Sequence, residues 1–137
     1  MPETNQRRQY PTHPTSAALA RAQVREFLEG WGIAIKGNDD AENALLVVSE
    51  LATNAVLHGS AGALFSVMVD LYEDALTISV RDSAQQAPLK RASKGEDQNG
   101  RGLFIVAALA RDWGWRTEVI GKTVWAELDV KVPTCSA

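Results

Sequence analysis

Cysteine is nearly absent from this chain. The single Cys135 excludes an internal disulfide and any zinc site built on cysteines. Near the end of the sequence it reads as an incidental thiol rather than a nucleophile. Long apolar runs are missing too: no stretch reaches the ~20 residues that a bilayer-spanning helix requires, and no signal-peptide pattern opens the chain. No contact with a membrane is expected, and the expected location is the cytoplasm. Histidine is scarce, and His13 sits between Pro11 and Pro14 rather than on a helix face. Neither sign of charge is in large surplus, so a formal net charge of −3 gives no electrostatic case for general nucleic-acid binding. Internal repeats and low-complexity tracts do not occur. What is present is 137 residues with 45% hydrophobic content, enough to bury a real core in a single domain spanning 1–137.

Along the chain, residues 1–6 are polar and expected to be loose, and residues 7–10 suit an edge strand. Pro11 and Pro14 interrupt regular structure, with Thr15 or Ser16 as the N-cap of a following helix. That helix is predicted over 17–29, burying Leu19 or Ala20 together with Val24, Phe27 and Leu28, and ending at Gly30 and Gly32. Asn38, Asp39 and Asp40 offer capping side chains for a second helix that closes at Gly59. Residues 75–81 alternate with period two, and 63–72 and 75–81 read as a hairpin with Glu73-Asp74 near the turn. The polar stretch 83–99 has two readings, a lid that closes over a ligand or a solvated loop, and the rarity of long structureless loops favours the lid. Trp113-Gly114-Trp115 and residues 123–130 supply the remaining strands. Trp113, Trp115 and Trp125 are expected in the core or on a sheet face rather than as platforms for stacked bases.

Two short segments carry chemistry. The first is Glu50-Leu51-Ala52-Thr53-Asn54-Ala55 in the second helix. Residues advance by about 100° on a helix, so Glu50, Asn54 and His58 form one row. Leu45, Val48, Ala52, Ala55 and Val56 make the helix apolar almost all round. A carboxylate and an amide in such a surface are costly unless they find partners. Mg²⁺ and its waters would suit them, because Mg²⁺ prefers oxygen ligands and is usually held by few protein groups together with phosphates. A rim position bonded to backbone or solvent is the plainer alternative. His58 reads as a helix-end residue satisfying carbonyls.

The second segment is Gly100-Arg101-Gly102-Leu103, ahead of the apolar run Phe104-Ile105-Val106-Ala107-Ala108-Leu109. Helix starts favour anions, and two glycines let backbone approach a phosphate closely, while a plain loop-to-helix turn is the bland alternative. Between the two segments, the strand ending at Asp82 places a carboxylate at a strand end. There it can accept from an exocyclic amine such as that of adenine or serve as an ordinary turn residue.

In this order the helix Glu50 to His58, the strand ending at Asp82, the variable segment, the Gly-Arg-Gly-Leu helix start and the closing Gly121-Lys122-Thr123-Val124-Trp125 strand resemble the Bergerat-type ATPase superfamily. Within it the chain is similar to stand-alone anti-sigma-factor serine kinases. The resemblance implies an α+β fold, a two-layer sandwich with about three helices on one face of a mixed, mostly antiparallel sheet. It implies ATP and Mg²⁺ as ligands, with Asn54 on the metal and Glu50 as general base or water-positioning carboxylate. It further implies Asp82 on the adenine amine, Gly100 and Gly102 flanking the phosphates beside Leu103, Asn99 and Arg101 as weaker phosphate contacts, and Thr123 supporting the adenine pocket. The family pattern after the aspartate is D-x-G, whereas this chain reads Asp82-Ser83-Ala84, where a methyl group crowds the base or resists a positive φ.

The function implied is an ATP-binding anti-sigma-factor regulator acting as a serine/threonine kinase on an anti-sigma-factor antagonist. Its protein partners would be that antagonist or a sigma factor, with a homodimer as the usual assembly of the family. The alternative is a module of the same fold that sequesters its partner without transferring phosphate, and Ala84 is the feature in its favour.

Overall fold

The computed structural model describes residues 5–59, 62–83 and 98–132, with the backbone alone for 98–102. The elements run β1 (Asn5–Pro11), α1 (Ser16–Gly30), α2 (Asp39–His58), β2 (Leu64–Tyr72), β3 (Ala75–Asp82), α3 (Gln98–Leu109), β4 (Asp112–Thr117) and β5 (Lys122–Asp129). Ala84, most of the 83–99 stretch and Cys135 lie outside the described residues. The strands form one five-stranded sheet in the order β1-β2-β3-β5-β4. Where a mixed sheet was expected, every pairing among the described strands is antiparallel. The expected α+β sandwich is otherwise the architecture found.

Alternation along the strands sorts residues onto two faces. Phe65, Val67, Val69 and Leu71 of β2 are buried, as are Leu76, Ile78 and Val80 of β3 and Val124, Ala126 and Leu128 of β5. These form the helix-facing side of the sheet, with period two placing the intervening residues on the other face. Tyr10 joins them from β1: its ring centroid lies 5.6 Å from that of Phe65, and its hydroxyl bonds Gln23 of α1. The strand begins earlier than expected because Asn5 and Gln6 already pair with Asp70 and Val69.

α2 is the middle helix. It packs against α1 on one side and α3 on the other and rests on β3 and β5, which is why it is apolar round most of its circumference. Asn38 caps it by accepting from the Ala41 N–H, and Asp39, Asp40 and Glu42 stand in its first turn, the favourable end of the helix dipole for acids.

α1 differs from expectation at its start. Thr15 has helical backbone angles and makes no side-chain cap, its hydroxyl instead facing His13 Nδ1 at 2.9 Å, while Ser16 Oγ is buried and donates to the Pro11 carbonyl. The proline turn thus takes the hydroxyls that would otherwise have capped the helix. Ala20 lies at the buried position, and Leu19 is 53% exposed. The helix ends as a Schellman motif. Ile33 N–H reaches the Leu28 carbonyl and Gly32 N–H the Glu29 carbonyl, with Gly32 at φ 85° and the apolar pair Leu28 and Ile33 buried together.

Candidate nucleotide site

Three elements converge on the helix side of the sheet: the second half of α2, the end of β3 and the start of β5. Asn54 is 8% exposed, and both its Oδ1 and Nδ2 are buried with no hydrogen-bond partner among the described residues. Nothing local satisfies this amide, because the backbone groups in mid-helix bond to one another and its neighbours Leu51, Ala52 and Ala55 are apolar. A buried amide left in this condition costs roughly 1–3 kcal/mol by mutational measures. Glu50, one turn earlier in the same row, and His58, one turn later, are both half-buried.

Asp82 continues the inward row of β3 after Leu76, Ile78 and Val80, so the alternation that builds the core also turns its carboxylate toward the helices. It is 6% exposed. Its register partner on β5 is Lys122, whose Nζ lies 3.1 Å from both Asp82 Oδ1 and Oδ2. The two side chains are 5% and 4% exposed. Two charges this far from water persist because each compensates the other. Gly121, with φ 86°, brings the backbone of β5 against the end of β3. A Cβ at that position would lie 1.8 Å from the Asp82 carbonyl oxygen. The adjacent Ser83 Oγ is a second buried polar atom without a partner among the described residues.

α3 begins at Gln98, so Gly100 and Gly102 fall inside its first turns rather than ahead of the helix. Glycine weakens a helix interior by about 1 kcal/mol each, and here the helix is anchored downstream by Leu103 and Val106, both fully buried. Leu103 is therefore a core residue. The side chains of Asn99 and Arg101 lie outside the described residues.

Thr123 is placed elsewhere. It pairs in register with Arg81, on the face of the sheet away from the helices, and its hydroxyl donates to Glu118 Oε2 at 2.8 Å. That bond holds the Glu118 carboxyl below its ordinary range, with Arg116 and Arg81 adding to the effect. Arg7, Ser66, Arg81, Arg116, Glu118 and Thr123 line a cleft of about 190 Å³ on this open face. The geometry thus brings Asp82 together with Lys122 and leaves Thr123 on the opposite side. Lys122 went unnoticed in the sequence, although a signal was there: it occupies the inward position of the row Lys122, Val124, Ala126, Leu128, where a lone lysine demands a partner.

The Asn54 amide oxygen is of the donor type Mg²⁺ prefers, and its lack of a partner among the described residues fits such a ligand. Among the described residues no three His, Cys, Asp or Glu side chains cluster as a metal cage.

Comparison with known proteins bears on the family and the fold. The family described as the histidine kinase-like ATPase domain matches residues 10–128. Among solved structures, the RsbU and RsbW domains of Rv1364c from Mycobacterium tuberculosis align with a TM-score of 0.66 at 21% identity, covering 97% of this chain and 35% of that one. The histidine kinase AdeS of Acinetobacter baumannii aligns at 0.53 with 10% identity, covering 91% of this chain and 68% of that one. The histidine kinase domain of a blue-light activated kinase from Erythrobacter litoralis aligns at 0.51 with 21% identity, covering 66% and 45%. The chain thus spans about a third of the length of the first of these structures. No curated protein matches it.

Proposed function

The chain belongs to the histidine kinase-like ATPase domain family, and we propose that it binds ATP with Mg²⁺ between α2, the end of β3 and the start of α3 to act as an anti-sigma-factor regulator. The observation that carries the ligand reading is the Asn54 amide, buried in mid-helix with both polar atoms unpartnered among the described residues. In this reading Asn54 holds the metal, whose charge, when bound, offsets that of the phosphates. Glu50, one turn away, accepts or positions the proton of the attacking hydroxyl. Asp82 accepts from the base, and the N-terminal N–H groups of α3 face the phosphates. The enzyme reading is phosphoryl transfer to a serine of an anti-sigma-factor antagonist. It rests on the sequence resemblance to anti-sigma-factor serine kinases and is in keeping with the likeness to a structure that includes an RsbW domain.

A second reading is a module that sequesters its protein partner without transferring phosphate. Two observations favour it: both carboxylate oxygens of Asp82 are already engaged by Lys122, and Ala84 stands where the family has glycine. In either reading the partner is a sigma factor or an antagonist, and the helix-free face of the sheet is the surface we assign to a homodimer. None of the described helices is long and apolar enough to cross a membrane, in keeping with action in the cytoplasm.

The experiment is a calorimetric titration with ATP, with and without Mg²⁺, on the parent and on Glu50→Gln, followed by transfer of radiolabelled phosphate to a cognate antagonist. The kinase reading expects Glu50→Gln to keep nucleotide affinity and lose transfer. A parent that binds ATP and modifies no partner would move the conclusion to the sequestering module. A parent that binds no nucleotide would overturn the ligand reading.

A further inference from the structure

The open face of the sheet carries a second constellation, on the side opposite the helices and Asn54. Strand register lays it out in rows: Ser66 of β2 pairs with Arg81 of β3, Arg81 with Thr123 of β5, and Thr123 with Arg116 of β4. Arg7 of β1 pairs with Met68, two residues along β2 from Ser66 and therefore on the same face. The cleft of about 190 Å³ among these strands is lined by the guanidinium groups of Arg7, Arg81 and Arg116 and by a single carboxylate, Glu118. That carboxylate is already held, accepting from Thr123 Oγ1 at 2.8 Å and from Arg116 Nε at 3.1 Å. Arg7 and Arg81, both exposed, have no carboxylate bonded to them among the described residues. A neighbouring hollow of about 290 Å³ is walled by the same Arg7, Ser66 and Arg81, so these three are common to both cavities. Ser66 is only 8% exposed, and its hydroxyl has no hydrogen-bond partner among the described residues.

Like charges gathered on one wall repel, and an anion bridging them removes that cost. Each guanidinium offers a planar fork of donors that matches phosphate bidentately, and a serine hydroxyl can donate one bond more. A lone carboxylate has two oxygens to share among these donors, whereas a phosphate group has enough to engage both forks and the hydroxyl together. We propose that Arg7, Arg81 and Ser66 form a binding site for a phosphate group, free or as a monoester, on the open face of the sheet. The site is independent of the nucleotide reading. It lies on the face assigned above to a homodimer, so a second copy seated there would compete for the same arginines.

The test is calorimetric titration of the full chain with inorganic phosphate and, separately, with methyl phosphate, in chloride buffer at constant ionic strength. The parent should bind inorganic phosphate with a dissociation constant of about 1 mM or tighter. Arg7→Gln and Arg81→Gln should each weaken that binding at least about tenfold, the scale of losing a charge-assisted pair. Should either variant fail to fold, lysine at the same position keeps the charge, loses the fork and should still weaken binding. Methyl phosphate binding as well as inorganic phosphate would assign the site to monoesters, and binding of inorganic phosphate alone would assign it to the free ion; either supports the proposal. Absence of binding to the parent, or equal binding by the parent and both arginine variants, would overturn it. Binding lost in Asn54→Ala and kept in both arginine variants would place the ion at the nucleotide site and overturn it too. Sedimentation of the same samples covers the remaining occupant: a parent dimer that takes no phosphate and an Arg81→Gln monomer would give the arginines to the second copy, against the proposal.

Discussion

Asn54→Ala should make the ligand-free protein more stable, the reverse of what truncating a buried side chain usually does. Three contributions set the sign. Alanine exceeds asparagine in helix propensity, worth about 0.5 kcal/mol in the middle of α2. Removing an amide whose two polar atoms are buried without partners among the described residues recovers roughly 1–3 kcal/mol. The lost packing of a small side chain costs on the order of 1 kcal/mol against this. The balance is a gain of about 1–2 kcal/mol, or on the order of 5 °C in melting temperature for a domain of this size. Urea unfolding without nucleotide should show a higher midpoint at an unchanged slope. Saturating Mg²⁺ and ATP should reverse the order, because a ligand at 100 times its dissociation constant stabilises the parent by about 2.7 kcal/mol and the variant lacks that gain. An Asn54→Ala protein less stable than the parent without ligand would refute the reasoning, since the amide must then have a partner. An equal gain from nucleotide in both proteins would remove Asn54 from the site.

Gly121→Ala should cost at least about 2 kcal/mol in urea unfolding, because φ is 86° and the new Cβ would meet the Asp82 carbonyl oxygen. At the end of α1, Gly30→Ala meets nothing within 4 Å and should instead stabilise by roughly 0.5–1 kcal/mol; a loss there would contradict the described backbone. Glu118 should titrate below the ordinary glutamate value of 4.5, and Thr123→Val should raise it, as followed by NMR of the carboxyl group. The sign for stability follows: the contribution of Glu118 is complete above 4.5 and is lost as pH falls through the lower folded-state value. A Glu118 that titrates identically in the parent and in Thr123→Val would show that the hydroxyl does not support it.

Most of the element pattern follows from the sequence alone, because its causes are local. Period-two runs mark β2 and β3. Asn38 and Gly32 delimit helices through bonds to their own neighbours, the first as a side-chain cap and the second as a left-handed terminus. The row Glu50, Asn54, His58 is likewise a consequence of helical geometry and needs no fold. What depended on the fold is everything that brings distant residues together. The sequence places Thr123 and Lys122 side by side, and only the register of β5 against β3 decides that Lys122 turns inward to Asp82 while Thr123 turns out to Glu118. A shift of one residue would exchange their faces, because strand side chains alternate with period two and register is a tertiary property. The burial of the Asn54 amide has the same origin. Its helix is apolar by composition, but only its place between α1 and α3 above the sheet removes water from its sides and leaves a polar group that its own helix cannot satisfy.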